Sequence, residues 1–131
     1  MSVAAAMGLI EAQLDALATV FPGASAAARP DGTVLVTIPT IPLSAAWSVR
    51  TTAVQFLVPV AYPMAQPDCF WAAPDLRLVP GTMPMNTNLT PIPGESAPQL
   101  WFSWHVARWN PVTDTLLTFA RVIQARLSCD K

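Results

Sequence analysis

Prolines are concentrated in the middle of this chain. Nine of its fourteen prolines lie between Pro59 and Pro98, and regular hydrophobic periodicity is absent from residues 62–94. Because proline fixes φ and lacks a backbone N–H, long helices or central strands are disfavoured there. Phe70 and Trp71 can anchor this stretch to a core, which favours an ordered, rigid loop system over a floppy insertion. The regular elements are therefore expected mainly on either side of it.

The N-terminal part predicts one helix followed by strands. Apolar residues in 3–20 recur every three or four positions with polar residues between them, which is typical of an amphipathic helix. The apolar positions are Met7, Ile10, Leu14, Leu17 and Phe21. Pro22-Gly23 ends this helix. A Pro-Asp-Gly turn at 30–32 introduces a β-branched strand at 33–38, and a second strand is expected at 50–60.

A second helix is expected near the C-terminus. Asn110-Pro111 has the pattern of an N-cap followed by proline at the first helical position, with Asp114 in the first turn. An apolar stripe follows, and Arg121 and Arg126 lie towards the C-terminal end. The stripe consists of Leu116, Ala120, Ile123 and Leu127. The order of helix, antiparallel strands, long loop and helix predicts an α+β fold, with residues 1–131 in a single domain.

The composition excludes several classes of function. The hydrophobic share is 53% and the charged share 11%, which predicts a sizeable core and some apolar surface that meets a partner. The net charge is −1 and the charges are scattered singly, so a nucleic-acid partner is not expected. Two cysteines and one histidine are too few for a structural zinc site, and no cofactor is expected. Glu11 and Asp15 interrupt the N-terminal apolar run, so we expect neither a signal peptide nor a membrane span, and a cytoplasmic location.

Two spaced motifs stand on either side of the candidate loop system. Tyr62-Pro63, followed by Pro67 and Phe70, is similar to the Tyr-Pro…Pro-Pro…Phe signature that closes the strand meander of the ubiquitin-conjugating enzymes. Trp109-Asn110-Pro111 resembles the Trp-Ser-Pro that opens the helix behind the active site. The resemblance spans roughly residues 3–128. It implies a ubiquitin-conjugating-enzyme-like fold with an N-terminal helix, an antiparallel strand meander, a long proline-rich active-site loop and a C-terminal helix.

The chain departs from that family at the nucleophile. The catalytic cysteine of the family sits at the position eight residues before Trp109, which is Trp101 here. Cys69 falls within the Tyr-Pro motif and is better explained as a small buried apolar residue, and Cys129 falls at the end of the last helix. We also expect this chain to lack the additional C-terminal helices of the common form. The usual nucleophile is therefore missing.

This combination resembles a divergent bacterial branch of the family. Its genes accompany those for a ubiquitin-like protein, an activating enzyme and often a JAB-type peptidase, and these are the partners that the resemblance implies. A run with Trp, Ser and His replaces the cysteine there, and Ser103 and His105 match it. Of the His-Pro-Asn motif, only Asn86 and Asn88 remain. The resemblance implies that the C-terminus of a ubiquitin-like protein is carried as an oxyester on Ser103 and passed to an acceptor.

The chemistry of such a transfer assigns a role to each candidate. A serine hydroxyl needs an adjacent base, and His105 is the only histidine in the chain. Side chains two apart in an extended strand share a face about 6.6 Å apart, a gap that Ser103 and His105 can close directly or through one water. Asp114 would orient the imidazole, and Asn86 or Asn88 would donate to the developing oxyanion.

Each candidate also has a plain structural explanation. A Ser-x-His pair occurs by chance in many proteins, and a histidine between tryptophans is often a packing residue. Asp114 complements a helix dipole, and Asn86 and Asn88 suit turns. Two other functions therefore stay open: a catalytically inactive module that binds a ubiquitin-like protein or activating enzyme, and a structural subunit. An exposed Ser103 within reach of His105 favours catalysis, whereas a buried one favours the module.

Overall fold

The fold is α+β, with an antiparallel sheet between an N-terminal and a C-terminal helix in chain order. A computed structural model describes the backbone of residues 3–131 and the side chains of residues 7–131. The elements are α1 Val3–Val20, β1 Ser25–Ala28, β2 Val34–Pro42, β3 Thr51–Val58, β4 Phe70–Ala72, β5 Thr87–Pro91, β6 Pro98–Phe102 and α2 Leu116–Leu127. The strands form one sheet in the order β1-β2-β3-β4-β6-β5. This confirms the predicted fold class. Neither helix is long and apolar enough, over the described residues, to cross a membrane.

The core lies between one face of the sheet and the two helices. Alternate residues of β2 and β3 are buried, and they form one cluster with the apolar faces of α1 and α2. The ring of Phe119 on α2 meets Phe56 on β3 edge-on, with centroids 5.0 Å apart. The predicted apolar stripes of the helices and the inward face of β3 are thereby confirmed. The helical spacing of 3.6 residues and the strand spacing of 2 residues each identified the side chains that face the core.

The start of α2 differs from the prediction. Thr115 is the N-cap, and it exchanges side-chain to backbone hydrogen bonds with Thr118 in a capping box. Asn110, the predicted cap, instead begins a turn in which its carbonyl accepts from the N–H of Asp114 at 2.8 Å. Asp114 Oδ2 accepts from the Asn110 N–H at 2.7 Å, so it precedes the helix rather than lying in its first turn. Asn and Asp favour caps and turns by the same side-chain hydrogen bonds, which is why the sequence pattern was ambiguous.

The proline-rich stretch also contains more structure than predicted. Two short strands, β4 and β5, lie within residues 62–94. β5 is an edge strand that ends at Pro91, where a missing N–H costs least. Phe70 and Trp71 are buried, as expected of anchors. A strand of three residues carries too little alternation to be recognised from sequence.

The three strands β4, β6 and β5 set the position of the candidate site. β6 lies between the other two, and Phe102 at its end pairs with Phe70 of β4 and Thr87 of β5. The chain leaves the sheet at the next residue, Ser103. Ser103 therefore stands where the ordered ends of three strands meet.

Candidate functional site

The two motifs that suggested the family contact each other. The indole Nε1 of Trp109 donates to the carbonyl of Pro63 at 2.7 Å, and the rings of Tyr62 and Trp109 have centroids 5.9 Å apart. The Tyr62 hydroxyl bonds to the side chain of Gln13 on α1, and burial raises the pKa of Tyr62 well above its ordinary value. This contact fixes the loop that connects β6 to α2 against the loop that precedes β4.

Ser103 is exposed and held by backbone on both sides. Its N–H donates to the carbonyl of Asn86 at 2.9 Å, and the next residue, Trp104, accepts from the N–H of Cys69 at 2.8 Å. The Ser103 hydroxyl forms no hydrogen bond within residues 7–131. We call Asp68, Cys69, Asn86, Ser103 and His105 the Ser103 junction. An exposed serine with a free hydroxyl at a fixed backbone position is accessible to a substrate, and its activation as a nucleophile requires an adjacent base as well.

Unusual backbone conformations flank Ser103. Cys69 has φ of 68° and Asn86 has φ of 61°, and they are the non-glycine residues with positive φ in the described chain. Asparagine tolerates this region, whereas cysteine adopts it rarely. Such conformations cost on the order of 1–3 kcal/mol and concentrate at functional sites. Their position on either side of Ser103 supports a function at this point.

His105 pairs with a carboxylate that the sequence did not suggest. Its Nδ1 lies 3.7 Å from Oδ1 of Asp68, and both side chains are largely exposed, at 60% and 67%. Gln66 holds the adjoining loops together, since its side chain accepts from the Val106 N–H at 2.8 Å and donates to the Val106 carbonyl at 3.0 Å. The structure thus brings Asp68, rather than Asp114, to the imidazole.

Ser103 and His105 do not form a hydrogen bond within the part of the chain that the structure describes. The expected geometry assumed extended backbone through both residues, but β6 ends at Phe102 and irregular chain follows. A proton can pass between the two side chains only once they approach to hydrogen-bonding distance or are bridged by a water. Catalytic hydrogen bonds are often long in the absence of substrate, so this separation does not remove His105 as a base.

The other three predicted site residues differ in whether they adjoin Ser103. Asn86 adjoins Ser103 through its carbonyl, and its side-chain amide has no hydrogen bond to residues 7–131. Asn88 lies within β5 opposite Trp101, and its Oδ1 accepts from the Leu89 N–H at 2.9 Å. Asp114 binds the Asn110 N–H, and its charge contributes to the raised pKa of Tyr62. Of these three, Asn86 alone belongs to the Ser103 junction.

Both cysteines lie close to residues that adjoin Ser103. Cys69 is half-buried in the Ser103 junction, where burial, and secondarily the charge of Asp68, raises the pKa of its thiol. A protonated thiol is a poor nucleophile. Cys129 is exposed and lines a cavity of about 180 Å³ together with Asn86, Trp104 and Arg126. No sequence spacing indicates these contacts, because they join the ends of distant elements.

The buried Arg126 was also not foreseen. It lies in the last turn of α2, as predicted, but is only 3% exposed. Burial lowers the pKa of Arg126, although a guanidinium remains protonated in proteins. Taking such a charge out of water costs several kcal/mol unless its contacts compensate.

Within the described residues, no group of three or more His, Cys, Asp or Glu side chains is placed to hold a metal ion.

Comparison with known proteins gave one match. A family model described as Prokaryotic E2 family E matches residues 25–130, which covers the whole sheet, the Ser103 junction and α2. None of the curated proteins matches the chain, and none of the solved structures does.

Proposed function

The chain belongs to prokaryotic E2 family E, and on that premise we propose that it is a carrier in a ubiquitin-like conjugation pathway. It accepts the C-terminus of a ubiquitin-like protein from an activating enzyme as an oxyester on Ser103. It then passes that acyl group to an amine of an acceptor. A JAB-type peptidase acts in the same pathway. Family membership relates the chain to protein conjugation, and the serine chemistry is the further step that we propose.

The observation that carries this proposal is the state of Ser103. Its side chain is exposed and its hydroxyl is unoccupied, yet its backbone is held on one side by Asn86. On the other side, Trp104 receives the hydrogen bond of Cys69. A buried Ser103 whose hydroxyl was satisfied by backbone would instead have favoured a module that binds without catalysis.

In the first step, Ser103 Oγ attacks the carbonyl carbon of the activated C-terminus. His105 takes the hydroxyl proton directly or through one water as the C–O bond forms. The bond between the carbonyl carbon and the activating group then breaks, and His105 gives its proton to the departing group. The amide of Asn86 donates to the oxyanion of the tetrahedral intermediate. Asp68 stabilises the protonated imidazole across the 3.7 Å gap.

In the second step, the amine nitrogen of the acceptor attacks the same carbonyl carbon. The C–O bond to Ser103 breaks as the amide forms, and His105 takes the proton that the nitrogen loses and delivers it to Oγ. An ester reacts with amines more slowly than a thioester because an alkoxide is a poorer leaving group than a thiolate. Protonation of Oγ by His105 therefore matters more here than it would at a cysteine.

Reconstitution with the ubiquitin-like protein, its activating enzyme and ATP tests this proposal. We expect a covalent adduct that survives thiol reductant and breaks in mild base. The double variant Cys69→Ala, Cys129→Ala is the matched control, and it should form the same adduct. An adduct that reductant removes, and that disappears in the double variant, would show that a thiol carries the acyl group.

A second function is favoured by the lack of a hydrogen bond between Ser103 and His105 in this structure. A catalytically inactive module would bind the ubiquitin-like protein or the activating enzyme without forming an adduct. Isothermal titration calorimetry separates the two functions. Binding without any adduct, under conditions in which the activating enzyme is itself charged, would support the module.

Exchanging each acidic candidate for its amide distinguishes their roles. Asp68→Asn should slow adduct formation about 1.4- to fivefold, because an exposed ion pair contributes about 0.2–1 kcal/mol. Asp114→Asn should leave the rate unchanged and lower the free energy of unfolding by about 1 kcal/mol, since it loses a charged acceptor for the Asn110 N–H. Single-turnover kinetics and thermal unfolding measure the two effects. A larger rate loss in Asp114→Asn than in Asp68→Asn would return Asp114 to the role first predicted for it.

A further inference from the structure

Arg126 is the buried charged side chain among residues 7–131. A guanidinium keeps its charge when it is buried, so its contacts must compensate for the lost water. No Asp or Glu side chain pairs with it, because the ion pair of the described chain joins His105 and Asp68. The contacts that hold this charge are therefore with backbone and aromatic groups.

Arg126 reaches four groups from the last turn of α2. Its Nη2 donates to the carbonyl of Met85 and to the main-chain oxygen of Lys131, each at 2.8 Å. Its Cζ lies 5.2 Å from the ring centroid of Phe102 and 5.4 Å from that of Trp104. Both distances are within the range of a cation–π interaction, which is stronger when water is excluded.

Three of these partners adjoin the proposed reaction centre. Phe102 and Trp104 are the residues immediately before and after Ser103. Met85 immediately precedes Asn86, whose carbonyl accepts from the Ser103 N–H. One planar group on α2 thus contacts both chain segments that meet at Ser103. Within the described residues, the guanidinium neither hydrogen-bonds to nor stacks on Ser103 or Asn86.

We propose that Arg126 is a positioning residue, which sets the separation between Ser103 Oγ and the Asn86 amide. The two rings fix the course of the backbone through Ser103, and the bond to Met85 fixes the start of Asn86. The geometric half of this inference is that Arg126 holds the backbone at Ser103 and Asn86 in place. The catalytic half is that this placement speeds adduct formation. The catalytic half rests on the proposed function, whereas the geometric half does not.

The geometric half is tested by amide hydrogen exchange in the uncharged protein. The variants are Arg126→Gln, Arg126→Lys and the matched control Arg121→Gln, which removes an exposed arginine from the same helix. In Arg126→Gln we expect the Ser103 amide to exchange about tenfold faster than in the wild type, with the amides of β3 unchanged. Arg121→Gln should leave both unchanged.

The catalytic half is tested by the kinetics of adduct formation. In Arg126→Gln, kcat should fall about 10- to 100-fold, because small misplacements of reacting groups cost that much. KM for the charged activating enzyme should stay the same, since the buried Arg126 presents no surface to it. Arg126→Lys should fall between glutamine and wild type, since lysine can donate to Met85 but cannot stack as a planar group.

Three results would overturn the inference. The first is an unchanged exchange rate of the Ser103 amide in Arg126→Gln. The second is an equal acceleration of exchange at Ser103 and in β3. The third is an unchanged kcat of adduct formation in a variant whose Ser103 amide exchanges faster. If the glutamine variant does not fold, the lysine variant takes its place in both measurements. If the wild type forms no adduct, the proposed function fails, and the exchange comparison alone decides whether Arg126 positions Ser103.

Discussion

Replacing Ser103 by alanine is expected to reduce the base-labile adduct below detection. The oxyester requires a hydroxyl at this position, and the nearest alternative in the adjoining strand is occupied. Thr87, which pairs with Phe102, donates its hydroxyl to the carbonyl of Pro84 at 2.6 Å. Because Ser103 is exposed and its Oγ is unbonded, the substitution should change the free energy of unfolding by less than about 0.5 kcal/mol.

Two further variants make the Ser103 experiment decisive. Ser128→Ala is the matched control, because this exposed serine at the C-cap of α2 bonds only within its own helix, to the carbonyl of Gln124. It should form the adduct at the wild-type rate. Ser103→Cys should form an adduct that reductant now removes, since a thioester replaces the ester. Electrophoresis with and without reductant and mild base reports all three, and a base-labile adduct that persists in Ser103→Ala would exclude Ser103 as the carrier.

The sequence predicted best those elements whose side chains alternate between core and solvent. The span of α1 and the inward face of β3 followed from spacing alone, because each buries a continuous apolar face. The two motifs predicted the fold and, as the structure shows, they also touch through Trp109 and Pro63. The spacing of apolar residues can be read from a single segment, without knowledge of the rest of the fold.

Features that depend on contacts between distant segments were not predictable in this way. The start of α2 was misplaced because Asn110 and Thr115 both suit a cap, and the choice between them depends on how the preceding turn closes. Asp68 reaches His105 because the loops before β4 and after β6 are tied together by Gln66. In the sequence, Arg126 is a cation near the C-terminal end of a helix. The structure shows in addition that its guanidinium packs against the ring of Trp104.

The neighbours of Ser103 illustrate the same limit. Asn86 and Asn88 are equivalent in the sequence, two residues apart with no distinguishing motif. The register of β5 on β6 separates them, since it pairs Asn88 with Trp101 and leaves Asn86 opposite Ser103. Register is fixed by the whole sheet, so a local pattern cannot reveal it.

Replacing His105 by alanine is expected to slow adduct formation by about 10²- to 10⁴-fold, the usual contribution of a general base. Discharge to an amine should slow as well, because the same imidazole returns the proton to Oγ. His105 is 60% exposed, so the space left by its side chain is open to solvent and added imidazole should restore part of both rates.

The control for the His105 experiment is Arg108→Ala, which removes an exposed side chain from the same loop and should change neither rate. Rapid-quench kinetics measure formation, and pre-charged protein measures discharge. Equal rates in His105→Ala and the wild type would remove His105 from its assigned role, because another group or water would then accept the Ser103 proton. A loss that imidazole does not restore would instead assign His105 to holding the loop, because a missing proton acceptor can be supplied from solution and a missing packing contact cannot.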